Sequence, residues 1–196
     1  MKGYDMSAAP QIKFSEEEYL AMERESDIKH EFYRGEIFAM AGSSPNHDRI
    51  AGDTYSSLNT QLRKSGCEVF SSEIRVRVNP TRSYTYPDIK VVCGEQEFTK
   101  DKPPSLLNPT LIIEVLSPST AEYDKAGKFS EYRKLASLQE YILIAQDEPL
   151  IEHYVRQPDA TWVLRDFTSM EAVIELKSIE CTLALADIYS RVSFEE

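Results

Sequence analysis

A glutamate interrupts an apolar run in the middle of the sequence. Residues 111–116 read Leu-Ile-Ile-Glu-Val-Leu, and a continuous apolar run of this length is typical of a strand that is buried on both faces. An ionised carboxylate in such a strand costs several kcal/mol unless it is neutralised, paired or bound to a metal. We therefore expect Glu114 to be protonated, to form an ion pair or to act as a metal ligand.

Two other segments carry groups that could act together with Glu114. If the strand-like segment of Asp88 lies beside the strand of Glu114, the two carboxylates converge at one end of a sheet, where a hard cation such as Mg²⁺ finds oxygen ligands. Asp124, Lys128 and Tyr132 share one face of a predicted helix. That helix could return Lys128 to the same place, where an ammonium group can orient or deprotonate a water and stabilise a pentavalent phosphate.

Capping residues and hydrophobic periodicity predict the elements that position these groups. Ser15 and Glu18 form a capping box that begins a helix over about residues 16–25, and Ser44-Pro45 begins a long helix that ends near Gly66. Further segments are predicted as strands at 30–40 (a hairpin or two short strands), 70–78, 84–92, 110–116, 140–145, 150–156, 161–167 and 172–179, as a helix at 123–135, and as a closing segment at 183–189. This interleaving predicts an α/β (α+β) fold, with a mixed central β-sheet flanked by helices and additional antiparallel hairpins.

The runs at 70–78 and 84–92 are predicted to pair as a hairpin. Strict alternation places Arg75 and Arg77 on the polar face of this hairpin, and Pro87 indicates an edge or a bulge. The segment that follows, rich in proline, lysine and aspartate, is predicted to be a surface excursion.

His47 lies at the start of the long second helix. It shares one helical face with Ala51, Leu58 and Leu62, so its side chain should point inward. A histidine in this position is either a satisfied core residue or part of a site, and both interpretations stay open.

The net charge of -11 restricts the partners of this chain. A protein that grips nucleic acid through phosphate contacts usually has an excess of lysine and arginine, so tight non-specific DNA binding is not expected and any nucleic-acid contact must come from a local patch. No apolar run is long enough for a membrane span, and we expect a cytoplasmic protein. The length predicts one domain at 14–196, preceded by a flexible tail at 1–13.

The three cysteines are widely separated and include no Cys-x-x-Cys pair. This spacing argues against a disulfide framework and against a structural zinc site. We therefore interpret Cys67, Cys93 and Cys181 as small buried hydrophobic residues.

Several of these residues also form an ordered set of motifs. The set consists of Lys29-His30-Glu31, Gly35-Glu36, Met40-Ala41-Gly42, His47, Tyr86-Pro87-Asp88, Asn108-Pro109-Thr110, Glu114-Val115-Leu116-Ser117-Pro118-Ser119-Thr120, Tyr123-Asp124, Lys128, Tyr132 and Ser137-Leu138-Gln139-Glu140-Tyr141. It covers most of the chain and resembles the PD-(D/E)XK nuclease superfamily, which has the restriction-endonuclease-like fold, and within it the Uma-two-like branch of predicted bacterial endonucleases.

The resemblance implies a Mg²⁺-dependent phosphodiesterase, with Mn²⁺ as a substitute, in which Asp88 and Glu114 are metal ligands and DNA is the substrate. The superfamily places a lysine two residues after the acidic ligand, where this chain has leucine. The resemblance therefore implies that Lys128 has taken over this role, with Lys125 as the alternative. It also places Glu31 and His47 around the site without fixing their roles. Cleavage of both strands of a duplex would favour a twofold homodimer.

Two alternatives to a nuclease remain open. The same fold could bind DNA or a protein partner without cleavage, because the lysine is displaced and the charge is acidic. It could also be a structural dimer whose carboxylates form salt bridges. At single positions, Asp88 could pair with Arg75 or Arg77, and Lys128 could form an ordinary exposed pair with Asp124.

Overall fold

The computed structural model describes residues 13–40, 42–78, 82–118 and 121–194. Most of the predicted tail lies outside the described residues, as do part of the turn between the runs at 70–78 and 84–92, and the motif residues Ala41, Ser119 and Thr120. None of the helices in the described ranges is long and apolar enough to cross a membrane.

The described chain contains one long helix, several short ones and many strands. The helices are α1 (Glu16–Glu25), α2 (Pro45–Leu62), α3 (Phe129–Tyr132) and α4 (Leu185–Ile188), and a π-helical segment, Tyr123–Lys128, directly precedes α3. The strands are β1 (His30–Tyr33), β2 (Glu36–Ala39), β3 (Cys67–Ser71), β4 (Arg75–Val78), β5 (Ser83–Thr85), β6 (Ile89–Cys93), β7 (Ser105–Leu106), β8 (Leu111–Leu116), β9 (Glu140–Ala145), β10 (Ile151–Arg156), β11 (Trp162–Phe167), β12 (Val173–Leu176) and β13 (Cys181–Ala184).

The central sheet has six strands in the order β11-β10-β9-β8-β6-β3. β8 and β9 are parallel, and the other neighbouring strands are antiparallel. A five-stranded sheet, β2-β1-β5-β4-β7, and the β12–β13 pair complete the structure. The predicted α+β class with a mixed sheet and antiparallel hairpins is confirmed.

The two faces of the central sheet carry separate hydrophobic cores. Leu111, Ile113 and Val115 of β8 pack with α2, β12, β13 and α4. Ile112 and Leu116, on the opposite face, pack with the region of α3 and with β4 and β7. Because side chains alternate along a strand, Glu114 occupies a position on this second face where an apolar residue would otherwise lie.

The predicted hairpin at 70–78 and 84–92 is divided between the two larger sheets. β3 and β6 pair in the central sheet, whereas β4 and β5 pair in the five-stranded sheet. Pro87 lies between β5 and β6, where the chain crosses from one sheet to the other. The acid that follows it is therefore held at the junction of the two sheets.

Alternation predicted that Arg75 lies on the solvent-facing side of this hairpin, but its side chain is buried. It is 1% exposed and donates to Ser105 Oγ at 2.8 Å, to Pro103 O at 3.0 Å and to Tyr19 OH at 3.3 Å. The prediction was wrong because α1 and the short strand β7 cover this face, and the sequence did not reveal β7. Neither this arginine nor Arg77, which pairs with Glu16, pairs with Asp88.

The interpretation of the cysteines was wrong for two of the three. Cys67 and Cys93 are directly opposite each other on β3 and β6 and form a disulfide bond. Two cysteines far apart in sequence become neighbours through strand pairing, which spacing alone does not show. Cys181 is free and buried, as predicted.

Candidate active site

Strand pairing brings Asp88 and Glu114 together at the end of β6. Ile89 is the partner of Ile113 in the β6–β8 pair, so Asp88 is level with Glu114 on the neighbouring strand. Asp88 Oδ2 accepts a hydrogen bond of 2.7 Å from the Val115 backbone N–H. Two acids that are 26 residues apart in sequence are thus adjacent in the fold.

The Lys128 ammonium lies between three carboxylates that come from three different elements. Its Nζ is 3.1 Å from Glu31 Oε1 on β1, 3.2 Å from Glu114 Oε1 on β8 and 3.1 Å from Asp124 Oδ1 in the same π-helix. The side chain of Lys128 is only 8% exposed. The pair with Asp124 is therefore part of a buried cluster and not an ordinary exposed helical pair.

Neighbouring polar groups fix the orientation of these carboxylates. The Tyr132 hydroxyl lies 2.9 Å from both Glu114 Oε1 and Thr85 Oγ1. The Tyr86 backbone N–H donates to Glu31 Oε1 at 3.1 Å. These bonds connect β1, β5, β8 and α3, so the site is built at the contact between the two larger sheets.

Burial and charge act in opposite directions on Glu114 and Lys128. Burial raises the pKa of Glu114 to about 8, although the Lys128 ammonium acts to lower it. The nearby acids Asp124, Asp88 and Glu31 add to the increase. Burial disfavours the charge of Lys128, but the carboxylates of Glu114, Glu31 and Asp124 outweigh burial and raise the pKa of this lysine well above its usual value. The surrounding carboxylates therefore favour the protonated form of Lys128.

His47 approaches Asp88 from the opposite side. Its backbone N–H donates to Ser44, the N-cap of α2, and its Nε2 lies 3.3 Å from Asp88 Oδ2. Burial disfavours the charged imidazole, but the hydrogen bond and the charge of Asp88 outweigh burial and raise the pKa of His47. The described geometry thus brings together Asp88, Glu114, Lys128, Glu31 and His47.

The alternative lysine lies elsewhere. Lys125 Nζ is 3.1 Å from Glu152 Oε2 on β10, and 39% of its side chain is exposed. One helical turn separates it from Lys128, yet it contacts a different strand because the π-helix turns its side chain away from Glu114.

Sequence reasoning missed Lys90 as a neighbour of the site. Lys90 is fully buried, lies on β6 opposite Ile112, and donates from Nζ to Pro87 O at 2.8 Å. Burial lowers the pKa of Lys90 to about 7, although the charges of Glu114 and Asp88 act to raise it. The spacing Asp88-Ile89-Lys90 was the available signal, because a lysine two residues after an acid is the pattern sought after Glu114.

A buried glutamate of α1 was also missed. Glu23 accepts a hydrogen bond of 2.6 Å from the Tyr86 hydroxyl. The backbone N–H and the ring of His30 also contact the Glu23 carboxylate. Since Tyr86 also binds Glu31, this network connects α1 to the site. Helical periodicity gave no sign of it, because Glu23 is one of several acids in α1.

The carboxylates keep donor atoms that suit a hard cation. Asp88 Oδ1 and Glu114 Oε2 accept no hydrogen bond from any described residue. Carboxylate oxygens are the ligands that Mg²⁺ prefers. Across the described ranges, no three side chains of histidine, cysteine, aspartate or glutamate form a ready metal-binding group, and Lys128 lies between the acids instead.

Comparisons with known proteins add a family and a fold. Residues 16–186 match the model of a family described as "Uma2: Putative restriction endonuclease". An uncharacterized protein of Synechocystis sp. is 34% identical over 187 residues, which cover 95% of this chain and 97% of that protein. A second one from Synechocystis sp. is 39% identical over 158 residues, which cover 81% and 89%. The crystal structure of a putative nuclease belonging to DUF820 from Anabaena variabilis has a TM-score of 0.74 at 20% identity and covers 90% of this chain and 98% of that chain.

Proposed function

This chain belongs to the Uma2 family of putative restriction endonucleases, and on that premise we propose that it hydrolyses DNA phosphodiester bonds with the help of a divalent cation. Its fold is restriction-endonuclease-like, as the resemblance implied. Asp88 and Glu114 are the proposed ligands of Mg²⁺, for which Mn²⁺ can substitute. A bound divalent cation supplies Lewis-acid activation of the phosphate and lowers the pKa of its water.

One observation carries the proposal. Two acids from neighbouring strands, Asp88 and Glu114, lie level with each other at the junction of two sheets, and a buried ammonium contacts one of them at 3.2 Å. Each acid has one carboxylate oxygen that accepts no hydrogen bond from a described residue. A structural salt bridge alone would not require the second acid to keep a free oxygen.

We assign Lys128 an electrostatic role. Because the surrounding carboxylates keep it protonated, it is suited to orient the attacking water and to stabilise charge that develops on the phosphate, and not to accept a proton. Glu31 and Asp124 would hold its ammonium in place. His47 would hold Asp88 Oδ2 and so direct the other oxygen toward the cation.

The proposal extends to the setting of the reaction. The substrate would be DNA in the cytoplasm, and cutting both strands would favour a twofold homodimer that presents two sites.

A second candidate function is a nuclease-like module that binds DNA or a protein partner without cutting. The position of Lys128 favours it, because the ammonium already neutralises Glu114 and no ready metal-binding group exists within the described residues. In that case Asp88 and Glu114 would be structural, and a divalent cation would have no effect on them.

A plasmid-cleavage assay separates the two candidates. With Mg²⁺ or Mn²⁺, the wild type should cut supercoiled plasmid, Asp88→Asn and Glu114→Gln should be inactive, and Lys128→Met should lose about 100-fold or more of the rate. Lys125→Met is the matched control and should cut like the wild type. An inert wild type that still binds DNA would support the module, and activity retained in Glu114→Gln would place the chemistry elsewhere.

Metal binding is tested without reference to activity. Calorimetric titration with Mn²⁺ should give a binding heat for the wild type that Asp88→Asn abolishes. Equal heats for the two proteins, or none for either, would contradict the proposed ligands.

A further inference from the structure

Three aromatic side chains lie together beside the candidate active site. Phe38 on β2 is the direct partner of Glu31 on β1, so both side chains are on the same face of this hairpin. Tyr33, two residues after Glu31, is on that face as well. The ring of Tyr123 lies 5.9 Å from that of Tyr33 and 6.4 Å from that of Phe38, measured between centroids. We call Tyr33, Phe38 and Tyr123 the aromatic patch.

The aromatic patch is continuous with the acidic cluster. The Tyr123 ring centroid is 5.7 Å from Lys128 Nζ, and Glu31 connects the hairpin face to the same ammonium at 3.1 Å. Gly127 allows this arrangement, because a Cβ at that position would lie 2.5 Å from Tyr123 Cδ2. The Tyr123 ring can therefore lie across the π-helix only because residue 127 has no side chain.

The aromatic patch presents apolar surface to solvent. Phe38 is 44% exposed, and Tyr33 and Tyr123 are partly exposed. At the turn of the same hairpin, the exposed Arg34 places its guanidinium 4.9 Å from the centre of the Tyr33 ring. Large rings, a stacked guanidinium and a candidate phosphate site thus lie on one surface, which is the combination that binds single strands of nucleic acid.

We propose that the aromatic patch stacks unpaired bases of a single-stranded nucleic acid whose backbone reaches the candidate active site. This inference rests on the proposed function, since it names the form of substrate that the site would take. Arg34 is placed to contact a backbone phosphate next to a stacked base.

Charge favours a single strand over a duplex. The chain has a net charge of -11, so phosphate contacts alone would give weak binding. Stacking of a base on an aromatic ring contributes about 1–3 kcal/mol and does not depend on a basic surface. In a duplex the faces of the bases are already stacked on each other, and the aromatic patch would have nothing to contact except at ends or distortions.

Binding is measured with wild-type protein in EDTA, so that cleavage does not interfere. The probe is a short oligodeoxythymidylate that contains one 2-aminopurine, and the comparison is the same strand in a duplex. The single strand should bind about tenfold more tightly or better, and 2-aminopurine fluorescence should be quenched on binding because the base stacks on a ring. No binding of the single strand, or equal binding of both forms, would overturn the proposal.

Variants at Phe38 distinguish stacking from general apolar contact. Phe38→Ala should weaken single-strand binding by about 5-fold to 150-fold, which corresponds to about 1–3 kcal/mol, whereas Phe38→Trp should retain it. Phe38→Leu keeps the apolar surface but not the ring, and it should behave like Phe38→Ala. If Phe38→Leu binds like the wild type, the surface is a general apolar one, as for a protein partner, and the proposal is wrong.

Two further variants complete the test. Gly127→Ala should weaken single-strand binding, because the new methyl group displaces the Tyr123 ring without removing it. Leu164→Ala is the control: Leu164 is also 44% exposed but lies on β11, at the edge of the central sheet, and its loss should have no effect. An effect of Leu164→Ala equal to that of Phe38→Ala would show that the binding is not specific to the aromatic patch.

Failure of this inference can be told apart from failure of the proposed function. If the wild type cuts plasmid but the patch variants bind single strands normally, the stacking proposal is wrong and the nuclease proposal stands. If single strands bind in a ring-dependent way but neither the plasmid nor the single-stranded oligonucleotide is cut with Mg²⁺ or Mn²⁺, the nuclease proposal is wrong and the stacking proposal stands.

Discussion

Removal of the Lys128 ammonium should destabilise the protein far more than removal of any exposed lysine. In Lys128→Met the carboxylates of Glu31, Glu114 and Asp124 lose their common partner while their side chains remain 8%, 4% and 3% exposed. Removal of one partner of a buried ion pair costs about 3–5 kcal/mol, because the remaining charge stays desolvated. We expect a loss of that size in the free energy of unfolding.

The assay is urea denaturation of the wild type and Lys128→Met in EDTA and in Mg²⁺. The matched control is Lys125→Met: this lysine pairs with Glu152, is 39% exposed and should contribute at most about 1 kcal/mol. If the acids can hold a divalent cation, Mg²⁺ should replace the missing ammonium. At a concentration of about 100 times its Kd, Mg²⁺ would restore about 2.7 kcal/mol to Lys128→Met.

Two results would refute this reasoning. A loss below about 1 kcal/mol for Lys128→Met would mean that the cluster is solvated and that its charges are screened. A loss of about 3–5 kcal/mol that Mg²⁺ does not restore would mean that the three acids pair only with Lys128 and that no divalent cation binds among them.

Two further predictions concern regions away from the site. Burial would raise the pKa of Glu140, but hydrogen bonds with His153 and Ser178 outweigh burial and lower that pKa. Glu140→Gln should therefore lower the free energy of unfolding by about 2–3 kcal/mol at neutral pH. Urea denaturation should show this difference disappearing as the pH falls below the usual pKa of a glutamate, because protonation removes the stabilisation. The disulfide Cys67–Cys93 closes a sequence separation of 26 residues, so dithiothreitol should lower the free energy of unfolding by about 3 kcal/mol and should have no effect on a Cys67→Ala/Cys93→Ala variant.

Local patterns were sufficient to predict most elements. The capping box of Ser15 and Glu18 and the N-cap at Ser44 are both present in the structure, because a cap depends on residues only a few positions apart. The convergence of Asp88 and Glu114 was predicted on the condition that their two segments lie side by side, and the pairing of β6 with β8 meets that condition.

What the sequence did not reveal depends on contacts between distant elements. Lys90 lies on β6, which is inside the central sheet and has both of its faces covered, and the pattern within one strand does not show this. Arg75 was misplaced for the same reason. The π-helical winding of Tyr123–Lys128 was predicted only as a helix, because hydrophobic periodicity over so few residues does not distinguish the two forms.

The position of the lysine in this chain follows from the packing around Glu114. The residue two positions after it is Leu116, which faces the same side of β8 and packs in the core beside α3. A lysine there would replace part of that core with a buried charge. A lysine on the π-helix instead reaches the carboxylates from outside the sheet, so β8 stays apolar apart from Glu114. It also places the ammonium between Glu31, Glu114 and Asp124, where it offsets their mutual repulsion before any cation binds. Under the proposed function, the cation therefore uses the oxygens that Lys128 does not contact.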